Sequence, residues 1–228
     1  MEKLELTILM PCLNESKTLG ICIKKAMQFL NENEIKGEVL VADNGSEDDS
    51  VRVALENGAR VVNVAKKGYG SALICGSQNA KGKFTIMGDS DDSYNFLELK
   101  PIWDKLLAGD ELVVGNRYGG NLEKGAMKFL HRFVGTPLIS FLARNKYKVS
   151  VSDFNCGLRG YVTEKINNLN CVADGMDYAS EMIIKAKKAD LKITEVPINF
   201  YKDGRGGPSH LNPLADGLRH LKRILGDV

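Results

Sequence analysis

Residues 86–94 read Ile-Met-Gly-Asp-Ser-Asp-Asp-Ser-Tyr. An apolar run that ends in glycine and three carboxylates fits a buried strand at the point where it leaves a sheet and its loop meets solvent. Asp89 and Asp91 lie two apart, so in an extended loop both side chains point the same way. They then reach one hard cation, Mg2+ or Mn2+, with phosphate oxygens completing its octahedron. The plainer reading is an acidic turn with a helix cap, because Asp and Ser are ordinary turn residues.

Outward from this stretch, short β-rich runs alternate with helical ones. Leu4–Met10 reads as a strand, Leu19–Leu30 as a helix, Val39–Ala42 as a strand, the residues near Ser50 as a helix and Arg60–Val64 as a strand. This is the βαβ pattern of an α/β fold: a single domain over residues 1–228, with a mostly parallel central sheet flanked by helices. Asn14-Glu15-Ser16 and Ser46-Glu47-Asp48-Asp49 stand where helix caps are expected. In open parallel sheets ligands bind outside the carboxyl ends of the strands. Three such ends read Pro11-Cys12-Leu13-Asn14-Glu15, Asp43-Asn44-Gly45-Ser46 and Asp89-Ser90-Asp91, and all three are expected to line one crevice.

The chain has 228 residues and 43% apolar composition, enough for one substantial core. Its 31 basic and 29 acidic residues balance to +2, which argues against broad nucleic-acid binding. Five irregularly spaced cysteines without C-x-x-C suit reduced thiols, no structural zinc and a cytoplasmic location. Neither a secretory leader nor a run of about 18 apolar residues is evident. Gly68-Tyr69-Gly70 meets Leu73 where a third glycine would complete G-x-G-x-x-G, so a nicotinamide site is not expected.

Taken together, the Pro11–Glu15, Ala42–Ser46 and Gly88–Asp91 loops resemble those of family 2 glycosyltransferases with a GT-A fold. Lys67-Gly68-Tyr69-Gly70-Ser71, Gly115-Asn116-Arg117, Asp153-Phe154-Asn155-Cys156-Gly157-Leu158-Arg159 and Asp203-Gly204-Arg205 are similar, in the same order, to motifs of polyprenyl-phosphate sugar transferases of the dolichol-phosphate mannose synthase type. The resemblance implies an inverting, metal-dependent hexosyl transfer from a UDP- or GDP-sugar to a polyprenyl (dolichyl or undecaprenyl) phosphate. Residues 1–115 would form the donor half and 116–228 the acceptor half. By the same resemblance Asp91 is the direct metal ligand, Asp89 lies near ribose or metal, and Asp43 accepts a hydrogen bond from the nucleobase. Pro11, Asn14 and Ser90 would line the nucleotide-sugar site, with Glu15 a ribose acceptor or a first-turn helix carboxylate. Lys67 and Gly68 are candidates to approach a phosphate, since they stand between a strand and a helix.

On the acceptor side, Asp153 is the candidate general base, or a positioning group if the acceptor is an already ionised phosphate. Arg117 and Arg159 are candidate acceptor-phosphate clamps, because a guanidinium fork matches phosphate oxygens. Arg205, within the glycine-rich stretch 204–208, and His210, just beyond it, are further candidates to bind the acceptor phosphate, on a loop expected to close over the diphosphate. Asp177 and Glu181 either reach the site or lie on a solvated helix face. The apolar and basic mixture over 128–144 suits an interfacial element on the cytoplasmic face of a membrane. Ordinary packing, a dimer contact or a membrane partner subunit would use the same surface. The rivals to lipid glycosylation are transfer to a soluble glycan or secondary metabolite, and a non-catalytic nucleotide-sugar-binding subunit.

Overall fold

The computed structural model describes residues 4–127, 135–206 and 213–226, with side chains in the last segment from residue 217. In chain order the elements are β1 (Leu4–Cys12), α1 (Leu19–Glu32), β2 (Gly37–Asp43), α2 (Ser50–Glu56), β3 (Arg60–Asn63), α3 (Tyr69–Asn79), β4 (Gly82–Met87) and α4 (Lys100–Leu107). They continue with β5 (Leu112–Asn116), α5 (Thr136–Tyr147), β6 (Arg159–Val162), α6 (Thr163–Asn167), α7 (Tyr178–Lys188), β7 (Ile193–Pro197) and α8 (Pro213–Leu225).

The seven strands form one sheet in the order β3-β2-β1-β4-β6-β5-β7. β1 sits near its centre, and its consecutive residues Leu6, Ile8, Leu9 and Met10 are all buried, as expected of a strand covered by helices on both faces. α1 buries Leu19, Cys22, Ile23, Ala26, Phe29 and Leu30, the spacing of one helical face. The strand and helix expectations for residues 4–64 hold to within a few residues at each end.

β6 is the departure from a parallel sheet: it runs antiparallel to both β4 and β5. That reversal positions the site. Parallel strands bring the loops that follow them to one edge, with Cys12 level with Asp43 and Leu9 level with Met87. The antiparallel β6 instead brings the loop that precedes it, because Arg159 pairs with Met87. The 153–157 turn thus meets the 12–16, 43–46 and 88–94 loops at one edge.

Of the expected helix-start residues, Asp49 is the N-cap of α2, whereas Asn14 and Asp48 cross-link loops. Thr18 and Asp49 are the N-cap residues and neither makes a side-chain cap bond. Asn14, at φ 57°, accepts the Glu47 N–H at 2.8 Å through Oδ1, and its own N–H donates to Ser46 Oγ at 2.9 Å. Asp48 accepts the Ser16 and Ser50 N–H groups at 3.0 and 2.9 Å. These bonds fasten the loop after β1 to the loop after β2, the first two walls of the site.

Candidate active site

A cavity of about 660 Å³ opens along this edge. Its lining includes two groups of side chains, Pro11, Glu15, Asn44, Lys67, Gly68, Asp89, Ser90 and Asp91 in one and Arg117, Phe200, Thr136 and Ile139 in the other, together with Asn155 and Gly157. Most of the residues singled out in the sequence therefore converge, although they do different work there.

Asp89 and Asp91 meet at the cavity as their spacing predicts. Tyr69 O–H donates to Asp89 Oδ1 at 2.8 Å, and Asp91 Oδ1 accepts the Ser93 N–H at 3.1 Å. Burial, with the Asp91 carboxylate adding to it, raises the Asp89 pKa above the ordinary carboxylate range. Glu15 joins them: burial pushes it up to about 7 against the opposing pull of Arg205. Three acids crowded at one end of a cavity make a strongly cation-attracting site. Arg205 answers that field, donating to Glu15 Oε1 at 3.1 Å and to Asp91 Oδ2 at 2.9 Å. Asp92, at φ 63°, pairs with Lys25 at 2.7 Å.

Several expectations are corrected here. Asp43 is 5% exposed and closes its own turn, accepting the Gly45 and Ser46 N–H groups, while its neighbour Asn44 stands on the cavity wall. Asn14 is exposed and ties loops together. The N-terminus of α3 does not offer its amides to a phosphate: the Gly70 N–H donates to the Asp174 carbonyl at 2.9 Å and the Gly68 N–H to Asn44 Oδ1 at 2.7 Å. Lys67 donates to the carbonyls of Asn44 and Gly45, bracing the β2 loop.

At the other end, Asp153 is wholly buried and accepts three bonds from Arg117: Nε at 2.7 Å, Nη2 at 2.8 Å and the backbone N–H at 3.2 Å. A carboxylate committed in this way is arranged for the positioning role, its oxygens being occupied by Arg117 in this structure. Its work is to hold Arg117 on the cavity wall, where the guanidinium also lies 5.2 Å from the Phe200 ring centroid. Arg159 does not reach the cavity as a clamp. It is fully buried and donates to the carbonyls of Cys156, Ala179 and Phe154 at 2.9, 2.6 and 2.8 Å, binding β6, α7 and the 153–157 turn together. Arg205 stands against Glu15 and Asp91, and His210 lies outside the described residues.

Glu181 is neither solvated nor in the site: fully buried, it accepts the Val172 and Ala173 N–H groups and pairs with Lys185. Asp177 pairs with Arg223 at 2.8 Å. Cys12 lines the cavity, but burial pushes its thiol up to about 11, which excludes a thiolate nucleophile.

Sequence reasoning missed Tyr69, Tyr94, Asn155 and His220. Tyr94 accepts the Gly157 N–H at 2.9 Å and so joins the 88–94 loop to the 153–157 turn. Tyr69 lies between two glycines of a motif read for its backbone, and Tyr94 directly follows the acidic run. His220 lines the cavity with Nδ1 2.8 Å from Ser180 Oγ, and burial lowers it to about 4, so it is neutral.

The Glycosyl transferase family 2 model matches residues 7–169. The chain is 36% identical over 221 residues to the low-salt glycan biosynthesis hexosyltransferase Agl6 of Haloferax volcanii, covering 96% of this chain and 53% of that protein. It therefore spans about half the length of that relative. A dolichyl-phosphate hexose transferase of the same organism is 27% identical over 223 residues, covering 97% of this chain and 92% of that protein. Among solved structures, glucosyl-3-phosphoglycerate synthase of Mycobacterium tuberculosis with Mn2+, uridine diphosphate and glucosyl-3-phosphoglycerate superimposes with a TM-score of 0.73 at 21% identity, covering 97% of this chain and 77% of that one. The structural likeness supports the α/β fold. The family model spans the 12–16, 43–46, 88–94 and 153–159 loops that build the cavity, and the chain belongs to glycosyl transferase family 2.

Proposed function

We propose that this protein is a metal-dependent, inverting hexosyltransferase that moves a sugar from a UDP- or GDP-sugar to a polyprenyl phosphate. The observation that carries the acceptor class is the Arg117–Asp153 pair. With Asp153 committed to Arg117, the cavity wall at that end presents a cation and no available base. A hydroxyl acceptor needs a base, whereas a phosphate monoester, with a second pKa of about 6, is already an anionic nucleophile at neutral pH. A guanidinium held by a buried carboxylate is well suited to orient that phosphate.

The donor end fits a divalent cation. Among the described residues no group of three His, Cys, Asp or Glu side chains could hold a metal. Asp89 and Asp91 supply two carboxylates, and Mg2+ or Mn2+ commonly completes its shell with phosphate oxygens and water. Bound there, the cation would act as a Lewis acid on the departing diphosphate. Arg205 already sits against Asp91 and Glu15 and is placed to turn from those carboxylates to diphosphate oxygens when the donor arrives.

A lipid acceptor and a membrane surface agree with the cavity's far wall and its outside. Met127, Ile139, Met176 and Ala179 give that wall an apolar lining. Leu138 and Phe141 on α5 and Leu218 and Leu225 on α8 are exposed beside Arg144, Lys146, Arg219 and Lys222. That mixture suits an interfacial face against anionic lipid, on the cytoplasmic side of the membrane. Of the 128–144 segment, residues 128–134 lie outside the described residues. No helix among the described residues is long and apolar enough to cross a membrane. The relative named a dolichyl-phosphate hexose transferase supports the same acceptor class. On this reading residues 1–115 are the donor half and 116–228 the acceptor half, with Arg205 crossing from the second to the acids of the first.

The test is transfer of radiolabelled hexose from a panel of UDP- and GDP-sugars to undecaprenyl or dolichyl phosphate, counted in the organic phase. The expected result is lipid label that EDTA abolishes. Label on a water-soluble acceptor only would overturn the lipid assignment, and nucleotide binding with no transfer to either acceptor class would indicate a non-catalytic subunit.

A further inference from the structure

Asn155 lines the cavity, and its carboxamide Oδ1 is buried without a hydrogen-bond partner among the described residues. Buried amide oxygens are normally satisfied, so an orphan on a cavity wall marks a place where a ligand donor belongs. The neighbouring residues are fixed inward. Asp153, Phe154 and Cys156 are all fully buried. The Phe154 and Cys156 carbonyls accept from Arg159, the Phe154 N–H donates to Ser140 Oγ at 3.2 Å, and the Gly157 N–H donates to Tyr94. The turn therefore holds Asn155 against the cavity in a preset position.

Its place along the cavity is informative. Two residues earlier, Asp153 holds Arg117 at one end. Two residues later, Gly157 passes so close to the donor acids that a Cβ there would stand 2.8 Å from Asp89 Oδ2. Asn155 thus stands in the turn between the residue that holds Arg117 and the residue packed against Asp89, the stretch along which a group passing from diphosphate to acceptor would lie. That group is uncharged and rich in hydroxyls. A carboxamide is the right partner for it, since it accepts from O–H without adding charge between an acid cluster and an arginine.

We infer that Asn155 is a specificity-determining residue whose Oδ1 accepts a hydrogen bond from one hydroxyl of the hexosyl group being transferred. This rests on the hexosyl-transfer reading above. A site built to bond a hydroxyl discriminates against donors that lack it, because its own polar atom is then left unpaired.

The experiment uses the whole chain, wild type and Asn155→Ala. Calorimetry measures the affinity for UDP and GDP with Mn2+, and kcat/KM is measured for the best UDP- or GDP-hexose and for derivatives each lacking one hydroxyl. In the wild type, one deoxy donor is expected to lose roughly 10- to 100-fold in kcat/KM. Asn155→Ala is expected to lose a similar factor on the parent donor and to treat the two donors alike, with nucleoside-diphosphate affinity and melting temperature unchanged. If no single deoxy donor suffers in the wild type, or if the variant keeps wild-type discrimination, the inference is wrong and the oxygen binds water only. Parallel loss of nucleotide affinity and melting temperature would show a structural role and also overturn it. A wild-type protein that transfers no hexose fails the functional reading itself, and this inference falls with it.

Discussion

The two ends of the cavity hold their charges differently. At the proposed donor end the acids sit on loops closed by near neighbours in sequence: Asp43 by Gly45 and Ser46, Asp91 by Ser93. Their long-range partner, Arg205, keeps 17% of its side chain in solvent. At the proposed acceptor end Asp153 has no exposure and its partner Arg117 is 36 residues away, while Arg159 binds carbonyls from two separate segments. A pair that keeps some contact with solvent can exchange partners when a ligand arrives at less cost to the fold than a dry one. In a dry pair the abandoned charge would be left in a low-dielectric interior. The donor end is therefore an exchangeable electrostatic site, and the acceptor end presents a guanidinium as a fixed fixture of the fold.

The largest effects should come from breaking the fixed end. Asp153→Asn leaves Arg117 buried without its counter-charge, a loss of about 3–5 kcal/mol, or roughly 10 °C of melting temperature in a chain of this size. Arg159→Ala orphans three buried carbonyls and should cost at least as much. Thermal unfolding followed by circular dichroism checks both. A melting temperature within about 2 °C of wild type for either variant would show that this end is not fixed and would erase the contrast.

Asp91→Asn should do the opposite. Transfer should fall by at least about 100-fold through loss of a metal-ligating charge, while the melting temperature holds or rises as repulsion with Asp89 is relieved. Activity and melting curves measured on one preparation separate the two classes of variant.

The smallest effect is a pH dependence that would sharpen the comparison. Glu15 titrates at about 7 in the fold against an ordinary value of 4.5, because burial disfavours its charge. Between those values the folded chain binds more protons than the unfolded one, so this group's contribution is fully present below about 4.5 and is lost as pH rises toward 7. Metal-free protein should lose a few degrees of melting temperature across that window, and Glu15→Gln should flatten that part of the profile. A profile unchanged by Glu15→Gln would mean that Arg205 fully compensates the acid.

The donor end was legible in the chain because its signals are local. Apolar runs followed by polar strand ends gave the βα units, and two acids at a spacing of two, directly after such a run, pointed to one shared site. Even there, Asn14 and Asp48 look like helix caps in sequence but staple two loops, because their partners lie more than thirty residues away. The acceptor end was legible only as a set of residues. Asp153, Arg117 and Arg159 are chemically apt for base and clamp, and nothing in the spacing shows that two of them pair with each other and the third binds carbonyls.

The sequence by itself determined the order of strands and helices over residues 4–64, the acidic strand end at 89–91 and membership of a glycosyltransferase family, since hydrophobic period and loop chemistry act over a few residues. Only the tertiary structure decided that β6 runs backwards, that Arg205 meets Glu15 across 190 residues of chain, and that Asp153 is locked while Asn155 is left facing the cavity. Burial and pairing are properties of segments brought together by the whole core, and they set which charged groups remain available for chemistry.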